Sequence, residues 1–249
     1  MFLRNLNSLV LVAVALVAVP STQAATTVIP ANSFSSYGAL ETYWNYLYPW
    51  GSDHNGSARM KGGPNDHTNI VVSGNTLSLI AKPISNPVPP TSTANPHPAI
   101  KYSSGAVHAK HLITVTAANG YTISGEFSAP TTRGTWPAFW LTGANSWPPE
   151  IDIGEWKGTP QNWFNTFNTS SSVRSDLVNW PSDLSFHSIK AVLTAQSNNR
   201  DIKIDFFVDN VYKATQFGLN FVGKPLWLWM DRLARLDPPL EQPTGFATS

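Results

Sequence analysis

Glu150-Ile151-Asp152-Ile153-Gly154-Glu155 puts three carboxylates into six residues of a 249-residue chain that has only 15 acidic side chains. Trp147-Pro148-Pro149 precedes the run and Trp156 follows it, so the acids sit among apolar and aromatic neighbours. Like charges this close repel one another. A solvated acidic patch is not built from Ile, Trp and Pro, so catalysis or a bound cation must offset the repulsion. Acid and isoleucine alternate over 150–153 with the period of a strand, the acids on one face and the isoleucines on the other. A regular strand would next put residue 154 on the acid face. That residue is glycine, and the third acid comes one place late. One extra residue is a β-bulge, a distortion glycine tolerates, and it returns Glu155 to the face of Glu150 and Asp152. The outer glutamates are then about 13 Å apart at Cα, at a rise of about 3.3 Å per residue. Long side chains leaning inward on a twisted strand can bring their carboxyl groups to the ~5–5.5 Å of double-displacement glycoside hydrolysis.

Nine to fourteen residues upstream stands Trp136-Pro137-Ala138-Phe139-Trp140-Leu141. Together with Glu-x-Asp-x-x-Glu this resembles glycoside hydrolase family 16 in its laminarinase-like, bulged form, as in a fungal-type secreted member. The resemblance implies an all-β, concanavalin A-like β-sandwich (jelly roll) with a carbohydrate-binding cleft on its concave sheet. It also implies endo-hydrolysis of β-glucans or β-galactans with retention. Carried over by position, Glu150 is the nucleophile, Glu155 the acid/base and Asp152 the helper between them. Trp136 and Trp140 are implied sugar contacts near the cleavage point, with Trp147 a third substrate-binding candidate. No cofactor and no metal are needed. β-1,3- or mixed-linkage glucan is the first expectation and a β-galactan the second. A transglycosylase would use the same residues. A sugar-binding lectin would not need the intact acid triplet, and a strand is a poor shape for the six to eight oxygens that calcium takes.

Composition agrees with a neutral polysaccharide as partner. Net charge is +1 and 12% of residues are charged, so no basic stripe exists to follow a phosphate backbone and nucleic acid is excluded as a partner. Ten Trp, seven Tyr and twelve Phe supply flat faces for sugar rings as well as core. With no cysteine there is no disulfide framework, and a single domain of this length, acting as a monomer, must rely on its sandwich core.

Residues 1–24 read as a secretory signal: Arg4, an apolar Leu9–Val19 segment too short to span a bilayer, Pro20, then cleavage after Ala24. No later stretch is apolar and long enough for a membrane span. Residues 25–249 then form one domain, exported to the extracellular space. Asn55-Gly56-Ser57 and Asn168-Thr169-Ser170 fit the glycosylation pattern. The stretch 37–68 reads as a first strand and a loop that could wall the cleft. A hairpin is expected over 70–81, and a proline-rich loop over 83–100, placed near one end of the groove. Strands are expected over 103–115, 121–128, 136–141, 162–168, 186–193, 202–208, 211–213 and from 226. His108 and His111, three apart on a strand, point to opposite faces and do not read as a metal pair. Phe167 and Asn168 stand where related enzymes often carry a histidine. The resemblance covers about 37–230. The tail 231–249, with three prolines and no period-2 pattern, reads as aberrant and lacking the last strand, which would leave a neighbouring strand unpaired.

Overall fold

The computed structural model describes residues 25–234 and 244–247. The leader over 1–24 and the tail residues 235–243, 248 and 249 lie outside the described residues. The elements run α1 (Tyr37–Tyr43), β1 (Trp44–Tyr46), β2 (Ala58–Met60), β3 (Ile70–Ser73), β4 (Thr76–Leu79), β5 (Lys82–Pro83), β6 (Tyr102–Ser104), β7 (Ala106–Ala109) and β8 (Tyr121–Ser128). They continue with β9 (Thr135–Gly143), β10 (Glu150–Glu155), β11 (Gln161–Thr169), β12 (Ser172–Asn179), β13 (His187–Ala195), β14 (Ile202–Val208), β15 (Val211–Gly218), β16 (Leu226–Ala234) and β17 (Thr244–Ala247).

Two seven-stranded antiparallel sheets face each other as a jelly-roll β-sandwich. One has the order β1-β7-β16-β9-β10-β11-β12 and the other β15-β14-β13-β8-β17-β4-β3. Period-2 patterning makes the interface. Ile202, Ile204, Phe206 and Val208 of β14, with Ile189, Ala191 and Leu193 of β13, turn inward. They meet Phe139, Leu141, Ile151, Ile153, Phe164, Leu226, Leu228 and Met230 of the first sheet in one core. Burying each of these larger side chains contributes about 1.5–3 kcal/mol, the main support of a chain without cross-links. The residues of opposite parity on the first sheet, the acids among them, look out over its other face.

Three expectations are corrected. The opening of the 37–68 stretch is helical: Ser36 Oγ accepts the Ala39 N–H at 3.1 Å and caps α1, which buries Leu40 before β1 begins. β12 had not been expected, because as the edge strand of its sheet it carries polar residues without a buried face. The closing strand expected to be missing is present. Residues 231–234 continue β16, and β17 pairs with β4 on one side and β8 on the other. Arg232 on β16 is fully buried, its guanidinium has no acceptor among the described residues, and burial lowers its pKa to about 10.

Candidate active site

β10 is hydrogen-bonded to β9 on one side and β11 on the other. Asp152 lies opposite Trp140, Gly154 opposite Phe139 and Glu155 opposite Ala138, so β10 advances two residues where β9 advances one. This is the bulge expected from the sequence. It turns both Ile153 and Gly154 toward the core, and Gly154 has no room for a side chain: a Cβ there would lie 2.6 Å from Trp156 Cη2. Trp156 is fully buried against Phe127 and Trp180. Without the extra residue Glu155 would face that core. With it, Glu150, Asp152 and Glu155 line one cavity of about 540 Å³, together with Trp136, Trp140 and Trp147.

Each acid has its own donors. Trp147 Nε1 donates to Glu150 Oε2 at 2.8 Å. Trp136 Nε1 donates to Glu155 Oε1 at 2.8 Å. Asn165 Nδ2, on β11, donates to Asp152 Oδ2 at 2.8 Å and to Glu155 Oε2 at 2.7 Å, tying the two carboxylates together. Ser175 Oγ, on β12, donates to Asn165 Oδ1 at 2.6 Å, and so fixes which way the amide points. Lys157 Nζ pairs with Glu155 Oε2 at 2.8 Å while lying over the rings of Trp136 and Trp163. Asn162 Oδ1 accepts the backbone N–H of Glu155 at 2.7 Å, anchoring the end of the bulged strand.

Burial raises Glu150 from the usual 4.5 to about 7; the Trp147 N–H opposes this, and the charges of Glu155 and Asp231 add to it. Asp152 is raised well above the ordinary carboxylate range, first by burial and then by Glu155 and Glu150, with the Asn165 bond opposing. The free groove therefore holds protons on this strand at neutral pH, as coupled acids do.

The wall of the cavity comes from the aromatic stretch near residue 50. Trp50, His54 and Asn55 line it. His54 stacks on Trp140 at 5.7 Å, and burial lowers its pKa to about 4, so it is neutral there. Trp140 is only 5% exposed and donates through Nε1 to Asp231 Oδ2 at 2.8 Å. The 83–100 loop does not line the cavity but braces its wall from behind. Asp53 pairs with Arg59 Nε at 2.7 Å, and Arg59 also donates to Pro89 O and Thr91 O. Thr93 N donates to Asp53 Oδ2 at 2.9 Å. Phe167 faces the cavity against Trp147 at 5.9 Å, whereas Asn168 spends its amide on the backbone of Phe217 and Leu219. His108 is buried and bonded to Leu47 O and Asn45.

A model of "Glycosyl hydrolases family 16" matches residues 101–216. A protein of Flammulina velutipes named "Galactan endo-beta-1,3-galactanase" is 70% identical over 204 residues, covering 82% of this chain and 79% of that one. The chain belongs to glycosyl hydrolase family 16. It is a glycoside hydrolase, so the lectin reading of the acid triplet is set aside. The fold agrees. An endo-1,3-beta-glucanase from Streptomyces sioyaensis superposes with a TM-score of 0.62 at 17% identity, covering 84% of this chain and 91% of that one. Porphyranase B from Zobellia galactanivorans superposes at 0.60 with 13% identity, covering 83% and 84%. Of the family 16 site described here, Asn165, Ser175, Lys157 and Asp231 were not foreseen, whereas Trp50, His54 and Asn55 belong to the stretch that could wall the cleft. Asn165, Ser175 and Asp231 are single polar residues on strands apart from the acid motif, and Lys157, two places after Glu155, carries no signal of its own in the sequence. The one available signal was parity: Asn165 and Ser175 fall on the cavity face of β11 and β12 once the register is known.

Proposed function

We propose that this chain is a secreted, retaining endo-β-1,3-galactanase. The observation that carries the substrate is the 70% identity to a protein named as acting on galactan, which displaces the first expectation of a glucan. The reaction is supported by the three acids on one face of a bulged strand. Glu150 attacks the anomeric carbon while Glu155 gives its proton to the leaving oxygen. The C1–O bond pair goes to that oxygen, and a glycosyl ester forms on Glu150. Water then attacks C1, its proton passes to Glu155, and the ester pair returns to Glu150. The donors from Trp136, Asn165 and Lys157 suit the carboxylate that Glu155 becomes after each proton donation. Asp152, held by Asn165, stands between the two glutamates as the helper. Export is directed by the leader over 1–24, and cleavage after Ala24 is checked by N-terminal sequencing of the exported chain.

The test is incubation of the exported protein, and of its Glu150→Gln variant, with β-1,3-galactan, laminarin and mixed-linkage glucan. The expected result is internal cleavage of the galactan, with the β-anomer appearing first by NMR and no release by the variant. Cleavage of laminarin with galactan untouched would overturn the substrate. An α-anomer appearing first would overturn retention.

A further inference from the structure

From the sequence Trp147 reads as a sugar platform, yet its N–H is committed to Glu150 Oε2 at 2.8 Å. The loop that carries the indole is closed at two points, and the ring itself is packed. Ser146 Oγ donates to Pro148 O at 3.0 Å, and Gly143 N donates to Pro149 O at 2.8 Å, closing the loop that carries it. A Cβ at Gly143 would lie 2.2 Å from Ser146 O, so this closure needs a glycine. Phe167 packs on the ring from β11. The ring is nevertheless 52% exposed, so its N–H had water as an alternative partner and is aimed at the carboxylate instead.

We infer that Trp147 is a positioning residue for the nucleophile: its N–H holds Glu150 Oε2, leaves Oε1 to attack, and favours the ionised carboxylate. This rests on the nucleophile role proposed above for Glu150. The need for such a donor is electrostatic. Burial and the negative charges of Glu155 and Asp231 act against an ionised Glu150, and Lys157 opposes them with a positive charge. A carboxylate so placed takes up a proton unless a donor stabilises its ionised form. The same N–H receives the charge that returns to Glu150 when water breaks the ester, so it serves both halves of the reaction.

Trp147→Phe keeps a flat ring and removes the donor together with the indole's second ring. Its expected signature is a kcat lower by about 10- to 100-fold with KM not raised, the loss of one hydrogen bond to a charged group. The acid limb of kcat/KM should also move upward by about one pH unit, because an unsupported Glu150 ionises later. A ¹³C titration of the Glu150 carboxyl should move the same way, independently of turnover. Trp147→Phe with parent kcat and acid limb, alongside Trp147→Ala with a raised KM, would leave the indole a sugar platform and overturn the inference. Parent-like behaviour of both variants would overturn it too. Glu150→Gln run in parallel separates the two levels: if that variant turns over, the nucleophile role has failed, and the inference with it. If it is inert while Trp147→Phe is normal, only the inference has failed.

Discussion

Replacing Glu150 by Gln should stabilise the fold at pH 8 and leave it nearly unchanged at pH 4. In the folded groove the carboxyl is raised from 4.5 to about 7, chiefly by burial. Below pH ~4.5 it is neutral in both the folded and the unfolded chain, so it costs nothing. Between ~4.5 and ~7 the folded chain binds more protons than the unfolded one, and stability falls as pH rises. Above ~7 the full cost of a desolvated charge beside other acids is present. At about 1.4 kcal/mol per pH unit the ceiling is about 3 kcal/mol. The groove is open to water and the acids share protons, so about 1–2 kcal/mol is expected. For a domain of this size that is a rise in Tm of about 2–8 °C. Gln keeps an oxygen for the Trp147 N–H, so the substitution removes the charge and little else. Thermal and urea unfolding of both proteins from pH 4 to pH 8 checks this. An equal difference at every pH, or a less stable variant at pH 8, would refute the electrostatic account.

Three further outcomes are expected. Gly154→Ala should cost about 1–3 kcal/mol in urea unfolding, because its Cβ meets Trp156, and should lose activity as Glu155 shifts. Asp53→Asn, which strips Arg59 of its carboxylate partner, should lower stability by about 1–3 kcal/mol and raise KM for long substrates through the wall bearing Trp50 and His54. Asn165→Ala should lower kcat by about tenfold or more, and Ser175→Ala by less, since the serine acts only through the amide; equal losses would contradict that order.

The sandwich and the bulge were legible because each is written in local alternation. Isoleucine, acid and a late glycine carry the register of β10 in six residues. The early helix was not legible, since Ser36 and one buried leucine are a weak signal beside the aromatics that follow. β12 was hidden by its edge position, and β17 by a tail whose polar and proline content masks a four-residue strand. The acids were found because carboxylates among Ile and Trp are out of place. Their partners were not, because a tryptophan that stacks and a tryptophan that donates are the same letter. Only the fold shows that Trp136 and Trp147 each present an N–H to a glutamate.

All three acids belong to one strand flanked by ladders on both sides, and their donors come from β9, β11 and the loops on either side of β10. The catalytic spacing is thus set by the backbone hydrogen bonds of an interior strand, not by a hinge or a mobile lid. Such a strand opens only with the domain as a whole. Heat should therefore extinguish turnover and melt the sheet at one temperature, making residual activity a direct gauge of the folded population.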